Sequence, residues 1–304
     1  MNPPIHTEKL TKRFRSLIAL DALDLEVPEG SVYALVGPNG AGKTTTLKIV
    51  MNIIRASSGR SEIMGVESTH ITPRELATIG YVSENQQMPG WMTVDYLLAY
   101  LKPFYPTWDS ALARNLIRQL DLPPRRKLRQ LSRGMRMKAA LASSLAYRPR
   151  LIIMDEPFTG LDALVRDELI EGLLELAAGA TVLISSHDLA EIESFASHVG
   201  YLDRGRLCFS EEMTTLVNRF REVQVTLAGP ARVPGNCPDD WLQPSAQAAV
   251  VRFVDTRFEE TATAARVRVF FPEACDVSFS PMSLRDIFVA LAKASRRAIK
   301  QDSL

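Results

Sequence analysis

The chain has 304 residues, 46% apolar and 23% charged, with 36 basic against 35 acidic side chains and a net charge of +1. That composition excludes a disordered or collagen-like chain and argues against a dedicated nucleic-acid binder, whose domain is strongly basic. Three widely spaced cysteines (Cys208, Cys237 and Cys275) give no disulfide framework and no paired metal-ligand motif. No apolar run approaches the ~18–20 residues of a membrane-spanning helix. Residues 1–15 lack the apolar segment of a secretory signal, so the expected compartment is the cytosol.

In chain order, Ala22–Val27 alternates Leu23, Leu25 and Val27 on one face and reads as a strand. After the Pro28-Glu29-Gly30 turn, Val32–Val36 is a continuous apolar run suited to a strand buried on both faces. It leads into Gly37–Lys43 and a helical stretch over Thr44–Asn52. Thr93–Tyr105, Ser110–Asp121 and Arg133–Tyr147 read as helices, an insertion of about residues 85–148 before the next buried strands, Leu151–Met154 and Thr181–Ser185. Leu164–Ala177 is a helix between those two strands. Buried strands alternating with helices predict an α/β domain with a mainly parallel sheet over residues 1–219. Residues 220–304 change character. Val223–Leu227, Ala249–Val254 and Arg266–Phe271 read as strands and Ser283–Ile299 as a helix, which predicts a small C-terminal α+β domain.

Gly37-Pro38-Asn39-Gly40-Ala41-Gly42-Lys43-Thr44 fits G-x-x-x-x-G-K-[ST] between a buried strand and a helix. Glycines let successive N–H groups curl around phosphate oxygens, and the following helix adds its positive end. Lys43 is placed to reach the β- and γ-phosphates, and the Thr44 hydroxyl to ligate Mg²⁺. The Leu151–Met154 strand ends in Asp155 and Glu156. At the carboxyl edge of a sheet these acids face the ligand crevice. Asp155 suits Mg²⁺. Glu156, expected on the other side by strand alternation, suits a general base that polarises water.

Taken together, these residues resemble the ATP-binding subunit of an ABC (ATP-binding cassette) transporter across most of residues 1–215. Gly37–Thr45, through Thr45, matches the family's Walker A motif, and Leu151–Glu156 matches Walker B with the catalytic glutamate. Phe14 matches the aromatic that stacks on adenine, Asp162 in Gly160-Leu161-Asp162 the D-loop, and His187 the switch histidine. Leu131-Ser132-Arg133-Gly134-Met135 matches the signature usually written LSGGQ. Ser132 and Gly134 are retained, whereas Arg133 replaces a glycine and Met135 the glutamine. Arg133 is expected as a solvated side chain. At the Q-loop the usual glutamine is Glu84, a carboxylate also able to ligate Mg²⁺.

The resemblance implies ATP and Mg²⁺ as ligands and a head-to-tail pair of cassettes, identical or paired. It further implies an integral-membrane partner docked near residues 84–100, a place on the cytoplasmic face of the membrane, and export by similarity to bacterial exporter subunits. No nucleic acid is expected. The competing reading is a soluble ABC ATPase acting on nucleic acid or ribosomes. Such proteins typically carry tandem cassettes or a long coiled-coil insertion, and this sequence shows neither. No Asn-Lys-x-Asp guanine motif is present. His6, His70 and His198 read as surface or capping residues, and Lys293, Arg296, Arg297 and Lys300 as a solvated helix face.

Overall fold

The computed structural model describes residues 2–83, 86–177 and 179–301. The chain divides into two compact units, Met1–Ser210 and Glu211–Leu304. In the first, β1 (Ile5–Phe14), β2 (Leu17–Val27) and β3 (Val32–Val36) precede α1 (Lys43–Val50). Next come β4 (Ser58–Ile63), β5 (Val66–Glu67), α2 (Pro73–Leu76) and β6 (Ile79–Ser83). Helices α3 (Val94–Leu101), α4 (Ser110–Gln119) and α5 (Arg133–Leu145) then lead to β7 (Leu151–Asp155). The remainder is α6 (Ala163–Leu176), β8 (Thr181–Ser186), β9 (His198–Asp203) and β10 (Arg206–Glu212).

Two sheets build this unit. One has six strands in the order β10-β9-β3-β8-β7-β6, with β3, β6, β7, β8 and β9 paired in parallel. The other is antiparallel, in the order β2-β1-β4-β5. The apolar runs form the central parallel strands because both of their faces are buried. Ile152, Met154, Val182 and Ile184 join the cluster made with α5 and α6, while Leu151, Ile153, Leu183, Tyr33 and Leu35 join the one made with α1, β1 and β2. Each fully buried Leu or Ile of this kind contributes about 1.5–3 kcal/mol. Parallel order places the carboxyl ends of β3, β7 and β8 side by side, which fixes the location of the phosphate loop and of Asp155.

The second unit holds α7 (Met213–Arg219), β11 (Arg221–Leu227), β12 (Trp241–Gln247), β13 (Val250–Asp255), α8 (Glu260–Phe270), β14 (Ala274–Pro281) and α9 (Leu284–Gln301). Its antiparallel sheet runs β12-β13-β11-β14 over a core of Val223, Val225, Trp241, Val251, Phe253, Val267 and Phe271. One expectation is corrected here. Arg266–Phe271 is not a strand: residues 266–270 are the last turns of α8, whose first amides, Thr261 N–H and Ala262 N–H, donate to the Glu259 carboxylate. Val267 and Phe271, four residues apart, are buried, while Val269 between them is 77% exposed. That is helical spacing.

Candidate functional site

The phosphate loop leaves β3 at Gly37, whose N–H donates to the Ser186 carbonyl at the end of β8 (3.3 Å). Gly42 precedes α1 with φ 111°, and a β-carbon there would lie 2.7 Å from the Ala19 carbonyl oxygen. Only glycine meets both demands, and it brings no side chain to cap the first amides of α1, which leaves them for an anion. The loop opens on a cleft of about 500 Å³ lined by Phe14, Leu17, Ile18, Asn39–Thr45, Glu156, Thr159 and His187.

Inside this cleft the polar side chains are bound to one another. The Lys43 ammonium, 5% exposed, donates to the Gly37 carbonyl (2.7 Å) and lies 3.1 Å from Glu156 Oε1. Glu156 Oε2 is 2.7 Å from His187 Nδ1 and accepts from the Thr159 hydroxyl at 3.1 Å. Burial pushes the Glu156 carboxyl up, but the His187 hydrogen bond and the Lys43 ammonium outweigh it and hold the group below the usual carboxylate range. Asp155 Oδ1 accepts from the Thr44 hydroxyl (2.9 Å) and the Ser185 hydroxyl (2.7 Å), and Ser185 Oγ in turn accepts from the Glu156 N–H (2.9 Å). The strand alternation expected to aim Glu156 is not the device used. β7 ends at Asp155, and Glu156 turns away in the left-handed region at φ 50°.

Ser132, Gly134 and Asp162 lie outside the lining of this cleft. Ser132 caps α5 by accepting from Met135 N–H (3.2 Å), and Asp162 caps α6 by accepting from Val165 N–H (3.0 Å). Gly134 is buried where a β-carbon would come within 2.6 Å of Val165 Cγ1, so α5 lies close against α6. Arg133 is exposed, yet it is not merely solvated, because its guanidinium covers Gly160. Glu84 lies outside the described residues. Pro38 and Gly37 form the back of the loop without lining the cleft.

The motif reading did not single out Leu17 and Ile18, 64% and 45% exposed beside Phe14 at 45%. Two adjacent apolar residues opening a strand are the signal that points to them. It also missed Thr159 and Ser185. Trp91 is 61% exposed and Met92 is buried, so the pair before α3 splits between surface and core. The described residues contain no cluster of three or more metal-type His, Cys, Asp or Glu side chains, and no helix among them is long and apolar enough to cross a membrane.

Known proteins share this architecture and these motifs. The family model described as ABC transporter matches residues 20–159. The ABC transporter ATP-binding protein YtrB of Bacillus subtilis is 30% identical over 73% of this chain and 76% of its own length. The daunorubicin resistance ATP-binding protein DrrA2 of Streptomyces coeruleorubidus is 33% identical over 76% of this chain and 74% of its own. The chain belongs to the family of ABC transporter ATP-binding proteins. It is an ABC ATPase by family, and its first unit is a nucleotide-binding cassette.

An uncharacterized ABC transporter ATP-binding protein of Synechocystis is 32% identical over 69% of this chain, which spans 61% of that protein's length. A sulfate/thiosulfate import ATP-binding protein of Xylella fastidiosa is 33% identical over 67% of the chain. Among solved structures, the ATP-binding subunit of an ABC transporter superposes with a TM-score of 0.64 at 26% identity, covering 70% of this chain and 92% of that one. A nucleotide-free ABC cassette gives 0.58 at 28% identity, covering 68% and 90%.

Proposed function

We propose that two copies of this chain, or this chain and a paired cassette, clamp ATP between Walker A of one and the Ser132–Met135 loop of the other, and hydrolyse it to drive a separate integral-membrane subunit. One observation carries the reading: residues far apart in sequence, Lys43, Thr44, Asp155, Glu156 and His187, meet within hydrogen-bond reach at one sheet edge beside an uncapped helix start. Phe14, with Leu17 and Ile18, offers the adenine an apolar face. Asn39–Thr45 amides and Lys43 hold the phosphates. Thr44 and Asp155 put two hard oxygen donors side by side, which fits Mg²⁺. That ion needs only one or two protein ligands beside phosphates and waters. When bound it neutralises phosphate charge.

Glu156 takes a proton from water as the water oxygen bonds to the γ-phosphorus. The bond from that phosphorus to the β,γ-bridging oxygen breaks, and its electron pair leaves with ADP. His187 orients Glu156 and contacts the γ-phosphate. The partner's phosphates meet Ser132 and Gly134 at the start of α5, a helix end that favours anions. Closure of the pair on ATP is a shift toward the state that binds ATP better.

We propose export as the direction and a peripheral position on the cytoplasmic face set by the membrane partner; relatives at 33% identity include both a daunorubicin resistance protein and a sulfate/thiosulfate import protein. Glu156→Gln is the test. It should bind ATP, lose about 10²–10⁴-fold in turnover, and run as a dimer on size exclusion with ATP. Retained turnover removes Glu156 from this role, and a monomer with ATP bound removes the shared site.

A further inference from the structure

We infer that Arg133, which stands in the signature loop where the family has glycine, is a positioning residue for Glu156 of its own chain. The inference rests on the reading of Glu156 as the general base. The contact that carries it runs between α5 and the turn after β7. Gly160 has φ 70°, and a β-carbon placed there would lie 2.7 Å from Arg133 Nη1, 3.0 Å from Cζ and 3.5 Å from Nε. Three atoms of one guanidinium so close to one point mean that Arg133 lies over the glycine like a plate. The preceding residue, Thr159, donates its hydroxyl to Glu156 Oε2 at 3.1 Å. The Thr159 N–H is itself 3.4 Å from the Glu156 carbonyl oxygen, so residues 156–159 form a tight turn, with one end at the base and the other under the arginine.

The backbone that carries the plate packs close against α6. Gly134, next to Arg133, sits where a β-carbon would come within 2.6 Å of Val165 Cγ1, and farther along α5 the Lys138 ammonium, on a buried side chain, bonds Glu168 of α6 at 2.5 Å. The first half of α5 therefore lies along the 159–168 segment, with Arg133 over Gly160, Gly134 close to Val165 and Lys138 bonded to Glu168. A glycine at 133 would leave Gly160, which has no side chain of its own, uncovered in a turn that the Leu161 N–H closes onto the Phe158 carbonyl at 3.1 Å. The planar guanidinium covers that open face, and lysine, a point charge on a flexible stem, does not reproduce the plate. Arg133 thus aims Glu156 through Gly160 and Thr159.

Steady-state ATPase kinetics of the full chain test this with four single variants, Arg133→Ala, Arg133→Lys, Thr159→Val and Glu156→Gln, and the double variant Arg133→Ala/Thr159→Val. Arg133→Ala should lower kcat about 10-fold, less than the ~10²-fold that a 1 Å misplacement can cost, with KM for ATP unchanged. Arg133→Lys should not restore it. Thr159→Val should lower kcat similarly, and the double variant should be no worse than the poorer single, as residues on one pathway are non-additive. An unchanged kcat in Arg133→Ala, a raised KM that lysine rescues, or effects that multiply in the double variant each overturn the inference. A raised, lysine-rescued KM would instead mark Arg133 as a charge acting on nucleotide. Glu156→Gln separates the two levels. If it keeps its turnover, the functional reading fails; if it loses turnover while Arg133→Ala does not, only the role of Arg133 falls.

Discussion

The phosphate loop and the signature loop, two helix starts in one cassette, are built in opposite ways. At the first, α1 begins at a bare glycine, and the side chains around it come from residues more than a hundred positions apart in sequence and answer one another: Lys43 with Glu156, Thr44 with Asp155, and Glu156 with His187. At the second, α5 begins with a serine whose oxygen already holds its own helix, Ser132 is exposed, and Arg133 lies over Gly160 of the same chain. On the proposed reading, the difference makes one loop a receiving site and the other an edge presented to a second copy.

That contrast breaks first under mixing. Lys43→Ala should weaken ATP binding by roughly 10- to 10²-fold, the worth of a charge-assisted hydrogen bond of ~1.5–3 kcal/mol. Ser132→Asp keeps a good helix cap while placing a carboxylate against the partner's phosphates. Each variant alone should be nearly inactive, and a mixture should regain activity, because one of its two shared sites is intact. A mixture no better than the sum of its parts makes the site private to each chain.

A smaller effect sharpens the signature side. Gly134→Ala drives a methyl to 2.6 Å from Val165 Cγ1 and should cost about 1–3 kcal/mol by overpacking, read as a lower urea midpoint. The smallest concerns pH. Glu156 titrates below its ordinary value of 4.5 in the folded protein. The stability it contributes is therefore present above that ordinary value and lost as pH falls through the lowered one. Nucleotide-free Glu156→Gln should be about 1 kcal/mol less stable than the parent at neutral pH, and the gap should close under acid denaturation. A constant gap at all pH values denies the Lys43–Glu156 pairing.

The sequence showed some elements clearly and hid others, for physical reasons. Leu151–Asp155 and Thr181–Ser186 stand out because burial on both faces demands unbroken apolar runs. β1 does not. Ile5, Thr7 and Leu10 are its buried residues, with charged neighbours between them and a break in register after Thr7, so no simple alternation survives. In α8 the valines at 267 and 269 and Phe271 alternate like a strand, and the helical answer needs the knowledge that Val269 points to water. For the site, Gly37–Thr44 and Asp155-Glu156 were legible because their chemistry is local. Ser185 and Thr159 were not, since a serine 30 residues from Asp155 acquires meaning only when parallel strands lay the two side by side. Arg133 read as a departure, and only the packing shows what it covers.

Glu156 carries one more consequence. Its left-handed φ of 50° is a conformation that costs an L-residue about 1–2 kcal/mol and costs glycine almost nothing. The residue the backbone would choose at that corner has no carboxylate to offer. A screen for thermal hardiness alone would therefore drift toward silence there, and a library selected only for survival on heating should be checked at this codon before it is trusted to turn over fuel.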